Sequence, residues 1–150
     1  MTPPLDPKIA GLVAQTTLRV DPRLFTIVGV PGSLEISVRK ALTDVHAPFF
    51  VQFFPHEQTI VLAEDEWIRV KGKFPGAGEE PGYRLITLEA NLDWQVVGYL
   101  SVVTAALARA RIAVGVLSSF HHDHLLVRAD RLEDAVAALQ HLIDAARAAF

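Results

Sequence analysis

The sequence predicts an α+β fold. The second half of the chain reads strand, helix, strand, strand, helix, and its hydrophobic period changes from two to 3.6 at Gly98 and again at Asp130. A Pro- and Gly-rich stretch at the centre separates this half from a first half of β-favouring runs. Strands in that order imply an antiparallel sheet, with the helices covering one of its faces.

Asp6 to Val13 reads as a short helix, with Asp6 as N-cap and Pro7 at the first helical position, turning Ile9, Leu12 and Val13 to one side. Thr17 to Val20 and Leu24 to Val30 flank Asp21-Pro22-Arg23, a turn in which proline presets φ and aspartate bonds its own backbone, so a hairpin is expected. Phe49 to Phe54 is an aromatic strand. After the Pro55-His56-Glu57 break, Thr59 to Ala63 is another, with Glu64-Asp65-Glu66 as a solvated exit and Trp67 to Val70 as a further short strand. Pro75-Gly76-Ala77-Gly78-Glu79-Glu80-Pro81-Gly82 has too many special backbone preferences to pack as core. It makes residues 73–82 a linker between a unit over 1–72 and a unit over 83–150.

Arg84 to Ala90 alternates as a strand and leads into Asn91-Leu92-Asp93-Trp94. From Val97 to Ala110, Leu100, Val103, Leu107 and Ala110 recur at helical spacing, and Arg109 and Arg111 suit the negative end of the helix dipole. Ile112 to Ser119 and Asp123 to Arg128 form a hairpin whose turn is crowded with polar and ionisable groups. Arg131 to Ala149 is a helix with Asp130 as its expected N-cap and Leu132, Val136, Leu139, Ile143 and Ala146 on one face.

Composition narrows the function. With 51% hydrophobic residues the chain holds a substantial core, and its longest apolar runs, such as Ile112 to Leu117, are far short of a membrane span. The start Met1-Thr2-Pro3-Pro4 lacks the regions of a signal peptide, so a soluble, cytoplasmic protein is expected. A net charge of -3 without clustered Lys and Arg argues against nucleic acid, and the lack of cysteine excludes disulfides and thiolate metal sites. No nucleophile elbow, phosphate-binding Gly-Lys loop or His-Glu-x-x-His helix occurs, so no enzyme and no cofactor are expected. His121, His122, Asp123 and His124 are all metal-ligand types, but strand alternation leaves two donors on each face where zinc takes three or four.

The β-α-β-β-α order around Ile86 to Leu139, the Gly at the first helix start in Leu92-Asp93-Trp94-Gln95-Val96-Val97-Gly98, and the hairpin Ser118 through Val127 together resemble the ACT domain. The likeness is to the tandem type of the Castor arginine sensors and the regulatory regions of aspartate kinases. In the first half, His56-Glu57-Gln58-Thr59-Ile60-Val61-Leu62 is similar to a strand of a degenerate first ACT unit. The resemblance implies two ferredoxin-like βαββαβ units, edge-to-edge or helix-to-helix association into a homodimer, and a regulatory, non-catalytic role in binding a small molecule, an amino acid first of all. The alternative is a structural dimerisation module without a ligand. The implied ligand site comprises Asn91, Asp93, Val97, Gly98, Ser118, Ser119 and Asp123. There the N–H groups at the Gly98 helix start would take a carboxylate and Asp123 an ammonium. His121, His122 and His124 depart from the small polar and aromatic residues usual in that hairpin, so ligand identity does not carry over. The first half lacks a second copy of the Ser-x-x-x-Asp hairpin, which implies one complete ligand motif per chain.

Overall fold

The structure is a computed structural model and describes residues 5–150. In chain order the elements are helix α1 (Pro7–Gln15), strands β1 (Thr17–Val20) and β2 (Phe25–Pro31), helix α2 (Glu35–Leu42), strands β3 (Phe49–Phe53) and β4 (Glu57–Ala63), helix α3 (Glu64–Val70), strand β5 (Gly78–Glu89), helix α4 (Tyr99–Arg109), strands β6 (Gly115–Ser118) and β7 (Asp123–Arg128), and helix α5 (Leu132–Ala148). The chain forms two compact units. One comprises the chain through Asp21 together with Arg84–Phe150, the other Pro22–Tyr83.

This division differs from a split at a linker over 73–82. Gly78 to Tyr83 are not linker but the first half of β5, paired antiparallel with β2, and the positive φ of Gly82 and a register shift between Phe25 and Ile27 absorb the Pro81-Gly82 irregularity. The segment through Asp21 does not join the first-half unit either. β1 pairs antiparallel with the second half of β5, Thr17 opposite Glu89 and Val20 opposite Ile86, so the expected hairpin of β1 with β2 does not form. At the end of β1 the backbone groups of Asp21 go to β5: its N–H donates to the Leu85 carbonyl and its own carbonyl accepts from the Arg84 guanidinium at 2.8 Å.

In the Pro22–Tyr83 unit the order is β2-α2-β3-β4-α3-β5, with strands arranged β3-β4-β2-β5. Val28, Val30, Ile60 and Leu62 meet Val38 and Ala41 of α2 and Trp67 and Val70 of α3 in one core. Trp67 to Val70, expected as a strand, is helical because its burial follows period 3.6: Trp67 and Val70 turn inward while Ile68 is exposed. Glu64, Asp65 and Glu66 occupy its positive first turn. They are not merely a solvated exit, because Glu66 is buried, accepts from the His46 backbone N–H at 3.0 Å and pairs with Arg69 at 2.6 Å. The His46 backbone bond, with the neighbouring His46 ring and Arg69 charge, holds the Glu66 carboxyl below the usual carboxylate range.

The other unit has the same order with one strand relocated. β5, α4, β6, β7 and α5 follow in sequence, and the remaining strand position is taken by β1, giving β1-β5-β7-β6. Ile86, Leu88, Leu125 and Val127, alternate residues of adjacent strands, share a core with Val103 and Leu107 of α4 and Leu139 and Ile143 of α5, so both helices cover the same face. α1 completes this layer with Ile9 and Val13, its N-terminus capped by Asp6, whose carboxylate accepts from Lys8 N–H at 2.8 Å, and its last carbonyls held by Arg147 of α5. Asp130 does not cap α5; it lies in a 3-10 turn and the cap position is Arg131.

Because α1 and β1 supply part of this core, the fragment 84–150 alone is expected to show no cooperative thermal unfolding by circular dichroism. Adding a peptide spanning residues 5–21 should restore a transition.

Candidate functional site

The loop between β5 and α4 and the turn between β6 and β7 enclose a cleft of about 290 Å3. Loop length makes the space. β5 ends at Glu89 and α4 begins at Tyr99, and the intervening residues curl back through a bond from Val96 N–H to the Asp93 carbonyl and an Asx turn from Gln95 N–H to the Asp93 carboxylate at 2.7 Å. Gly98 then starts the helix at φ 95°, ψ -8°. A Cβ there would meet nothing within 4 Å, so glycine serves the left-handed conformation rather than tight packing. The first intrahelical bond runs from Val102 to the Gly98 carbonyl, and no side chain caps the helix, which leaves the N–H groups of its first turn facing the cleft.

The opposite wall is the hairpin turn. Ser119 N–H donates to the His122 carbonyl at 2.9 Å and closes the turn, and Ser118 Oγ donates to Asp123 Oδ1 at 2.6 Å across the last ladder pair. Trp94 from the loop and Phe120 from the turn meet edge to face, ring centroids 6.3 Å apart, and each is 71% exposed. The ionisable groups lining the cleft are Asp93, Asp123, His121, His122 and the Tyr99 phenol; among the described residues no lysine or arginine lines it. Tyr99 lies at its floor, buried, with its hydroxyl 2.8 Å from Thr16 Oγ1, and burial first, with the Asp123 charge adding, holds its phenol above the usual range.

Of the residues expected from sequence, the structure brings Asp93, Gly98, Ser118, Ser119 and Asp123 together around the cleft. Asn91 and Val97 are not among its walls; both are exposed, Val97 to 84%. Leu92, Val96, Leu100 and Ser101 complete the lining; Leu92 and Val96 stand in the helix-start segment but are not among the expected site residues, because a wall built from loop and helix backbone is set by geometry that no side-chain pattern records. His124 stands outside the lining. It lies on the sheet face opposite the helices, with Nδ1 2.9 Å from Thr87 Oγ1 and Nε2 2.9 Å from Ser119 Oγ. Beside it Glu89 pairs with Arg19 at 2.6 Å and with His122 Nε2 at 3.3 Å. Among the described residues no group of three or more His, Asp or Glu is arranged to hold a metal ion.

The corresponding position of the Pro22–Tyr83 unit is closed. β2 passes without a loop into a 3-10 turn at Gly32, whose N–H donates to the His56 carbonyl in the β3–β4 turn. A Cβ on Gly32 would collide with the Pro55 carbonyl oxygen. Gln58, fully buried, donates to the carbonyls of both Gly32 and Phe54 and seals the contact.

Two substitutions test these glycines by denaturant unfolding. Gly98→Ala is expected to lose about 1–2 kcal/mol, the cost of a left-handed Cβ, with Gly98→Asn losing less. Gly32→Ala should lose about 1–3 kcal/mol through overpacking against backbone.

Comparisons with known proteins agree with this geometry. Residues 78–141 match the family model of the ACT domain, from the start of β5 into α5. No curated protein matches the chain. Among solved structures, a protein from Agrobacterium tumefaciens superposes with a TM-score of 0.69 at 22% identity, covering 85% of this chain and 89% of that one. A protein of unknown function from Vibrio cholerae does so with a TM-score of 0.69 at 20% identity, covering 91% and 96%. The regulatory subunit of aspartate kinase from Thermus thermophilus superposes with a TM-score of 0.63 at 14% identity, covering 83% and 95%. Residues 78–141 are therefore similar to the ACT domain, and the chain has an α+β fold similar to that of the regulatory subunit of aspartate kinase.

Proposed function

We propose that this chain is a non-catalytic regulatory protein that binds one α-amino acid per chain in the cleft between the β5–α4 loop and the β6–β7 turn. The observation that carries this reading is the pairing, across one cleft, of the uncapped α4 N-terminus with the Asp123 carboxylate. A zwitterion presents a carboxylate to the first and an ammonium to the second. Asp93 and Ser119 add orientation. Charge-assisted bonds of about 1.5–3 kcal/mol each are enough for micromolar affinity after the entropic costs of association. Two ACT-like units per chain, with the Pro22–Tyr83 unit degenerate, account for a cleft that is open in one unit and shut at the corresponding position of the other by Gly32 and Gln58. The resemblance to aspartate kinase regulatory subunits supports regulation as the role, and a cytoplasmic homodimer as the working form.

A structural dimerisation module is the second reading, favoured by one observation: Trp94 and Phe120 of the cleft and Val97 of the same β5–α4 loop are all strongly exposed. A thermal-shift screen against the proteinogenic amino acids separates the two. A specific ligand at about 100 times its dissociation constant stabilises by roughly 2.7 kcal/mol. Asp123→Ala is expected to abolish that shift while leaving the free protein's melting temperature nearly unchanged, because the carboxylate's side-chain hydrogen bond is to Ser118 at the exposed hairpin end. If no amino acid shifts the wild type and Asp123→Ala itself unfolds early, the module reading replaces the sensor.

A further inference from the structure

We propose that His124 is the positioning residue of the cleft's hairpin wall, tying Ser119 on the wall to Thr87 in β5 and releasing the wall when the ring takes up a second proton. The inference rests on the cleft being the binding site, but its argument and its test need no ligand.

We assign the ring's protonation from the hydrogen bonds around it. The Ser119 hydroxyl donates to the His122 carbonyl at 3.2 Å, so its proton is committed and its oxygen is left to accept from His124 Nε2–H at 2.9 Å. A neutral ring protonated on Nε2 has a lone pair on Nδ1, which accepts from the Thr87 hydroxyl, also at 2.9 Å. The chain therefore runs one way, from Thr87 through the imidazole to Ser119 and on to the His122 carbonyl. A second proton would have to go on Nδ1, facing a hydroxyl that is itself donating. Thr87 is buried, and reversing its hydroxyl would strip that proton of its acceptor.

The charges around the ring come from every strand and turn packed against it. Arg19 on β1 and His122 in the turn oppose a second positive charge, while Glu89 on β5 and Asp123 at the start of β7 favour it. Glu89 is already shared with Arg19 and His122. Burial is the largest influence, and with His122 and Arg19 it depresses the ring below its ordinary value of 6.5. The sign follows: a group depressed in the closed form favours that form while neutral. The preference is lost as pH falls below about 6.5, where an open hairpin binds the proton more readily.

Trp94 reports the position of the wall because it touches Phe120 in the turn. Its emission, titrated in the ligand-free protein from about pH 8 to about pH 5, is expected to show one transition with its midpoint below 6.5. The transition should be absent in Trp94→Phe, which leaves only the buried Trp67 of the other unit. It should also be absent in His124→Gln, whose amide bonds both hydroxyls without titrating. His121→Gln should keep it, and His122→Gln should keep it with a midpoint moved upward, since a repelling neighbour is gone. A transition that persists in His124→Gln, or a wild type with none, overturns the proposal. Should His124→Gln fail to fold, nitrogen chemical shifts of the wild-type ring decide: a neutral Nε2–H tautomer at pH 7 is the expected result, and an Nδ1–H tautomer or a ring already protonated there refutes it. A negative amino-acid screen alongside a positive titration would sink the ligand and leave the latch standing.

Discussion

The second half of β5 lies between β1 and β7, and every part of the cleft depends on that double anchorage. The strand is held on one edge by an antiparallel ladder from Thr17 to Val20 and by the Asp21 exchange with Arg84 and Leu85. Below it, Ile86 and Leu88 are sunk in the helical layer. A loop that leaves a strand fixed in this way starts from a defined point and direction, and the same strand carries Thr87 and Glu89, which reach the hairpin through His124 and His122. The two walls thus share one rigid reference, the arrangement that lets loop residues hold a small ligand to within the tolerance that hydrogen bonds demand.

Much of this was legible in the amino-acid order. Period-2 alternation in Arg84 to Ala90 and period-3.6 spacing in the two flanking helices are strong signals because each element buries one clean face, and the structure has β5, α4 and α5 there. Glycine at 98 marked the helix start correctly, for a reason of backbone conformation and not of packing. The losses were of two physical kinds. α2 and α3 bury only a few residues each, Val38 and Ala41 in one and Glu66, Trp67 and Val70 in the other, so α2 goes unread and Trp67 to Val70 reads as a strand. The partner of β1, in contrast, is set by contacts about seventy residues away, as in Thr17 opposite Glu89, and no local turn signal at Asp21-Pro22-Arg23 records it. The same limit applies to the cleft: the hairpin cluster and the Gly98 helix start were visible in the sequence, while the lining by Leu92, Val96, Leu100 and Ser101 was not.

The two units solve one problem in opposite ways. Where a helix start meets a hairpin turn, backbone N–H and carbonyl groups converge and must be satisfied. In the Pro22–Tyr83 unit they satisfy one another, Gly32 against His56, with the Gln58 amide taking the carbonyls that remain. In the other unit a longer loop keeps them apart and water or a ligand is left to do it. Charge sharpens the contrast, since the open site brings in two carboxylates and no lysine or arginine.

The relocated strand also bears on how the protein is made. Residues 22–83 are contiguous, so that unit has all of its sequence once Tyr83 has emerged, and it can close while synthesis continues. The other unit is split around it. Ile9, Val13, Leu18 and Val20 leave the ribosome before it, while residues that cover them, Leu139, Ile143 and the Arg147 clasp on the Ala14 and Thr16 carbonyls, leave after it. While residues 22–83 are made, an apolar helix and a strand with an unpaired edge wait for partners, the strand until residues 86–89 emerge and the helix until α5 does, and this segment is where a chaperone would find the nascent chain.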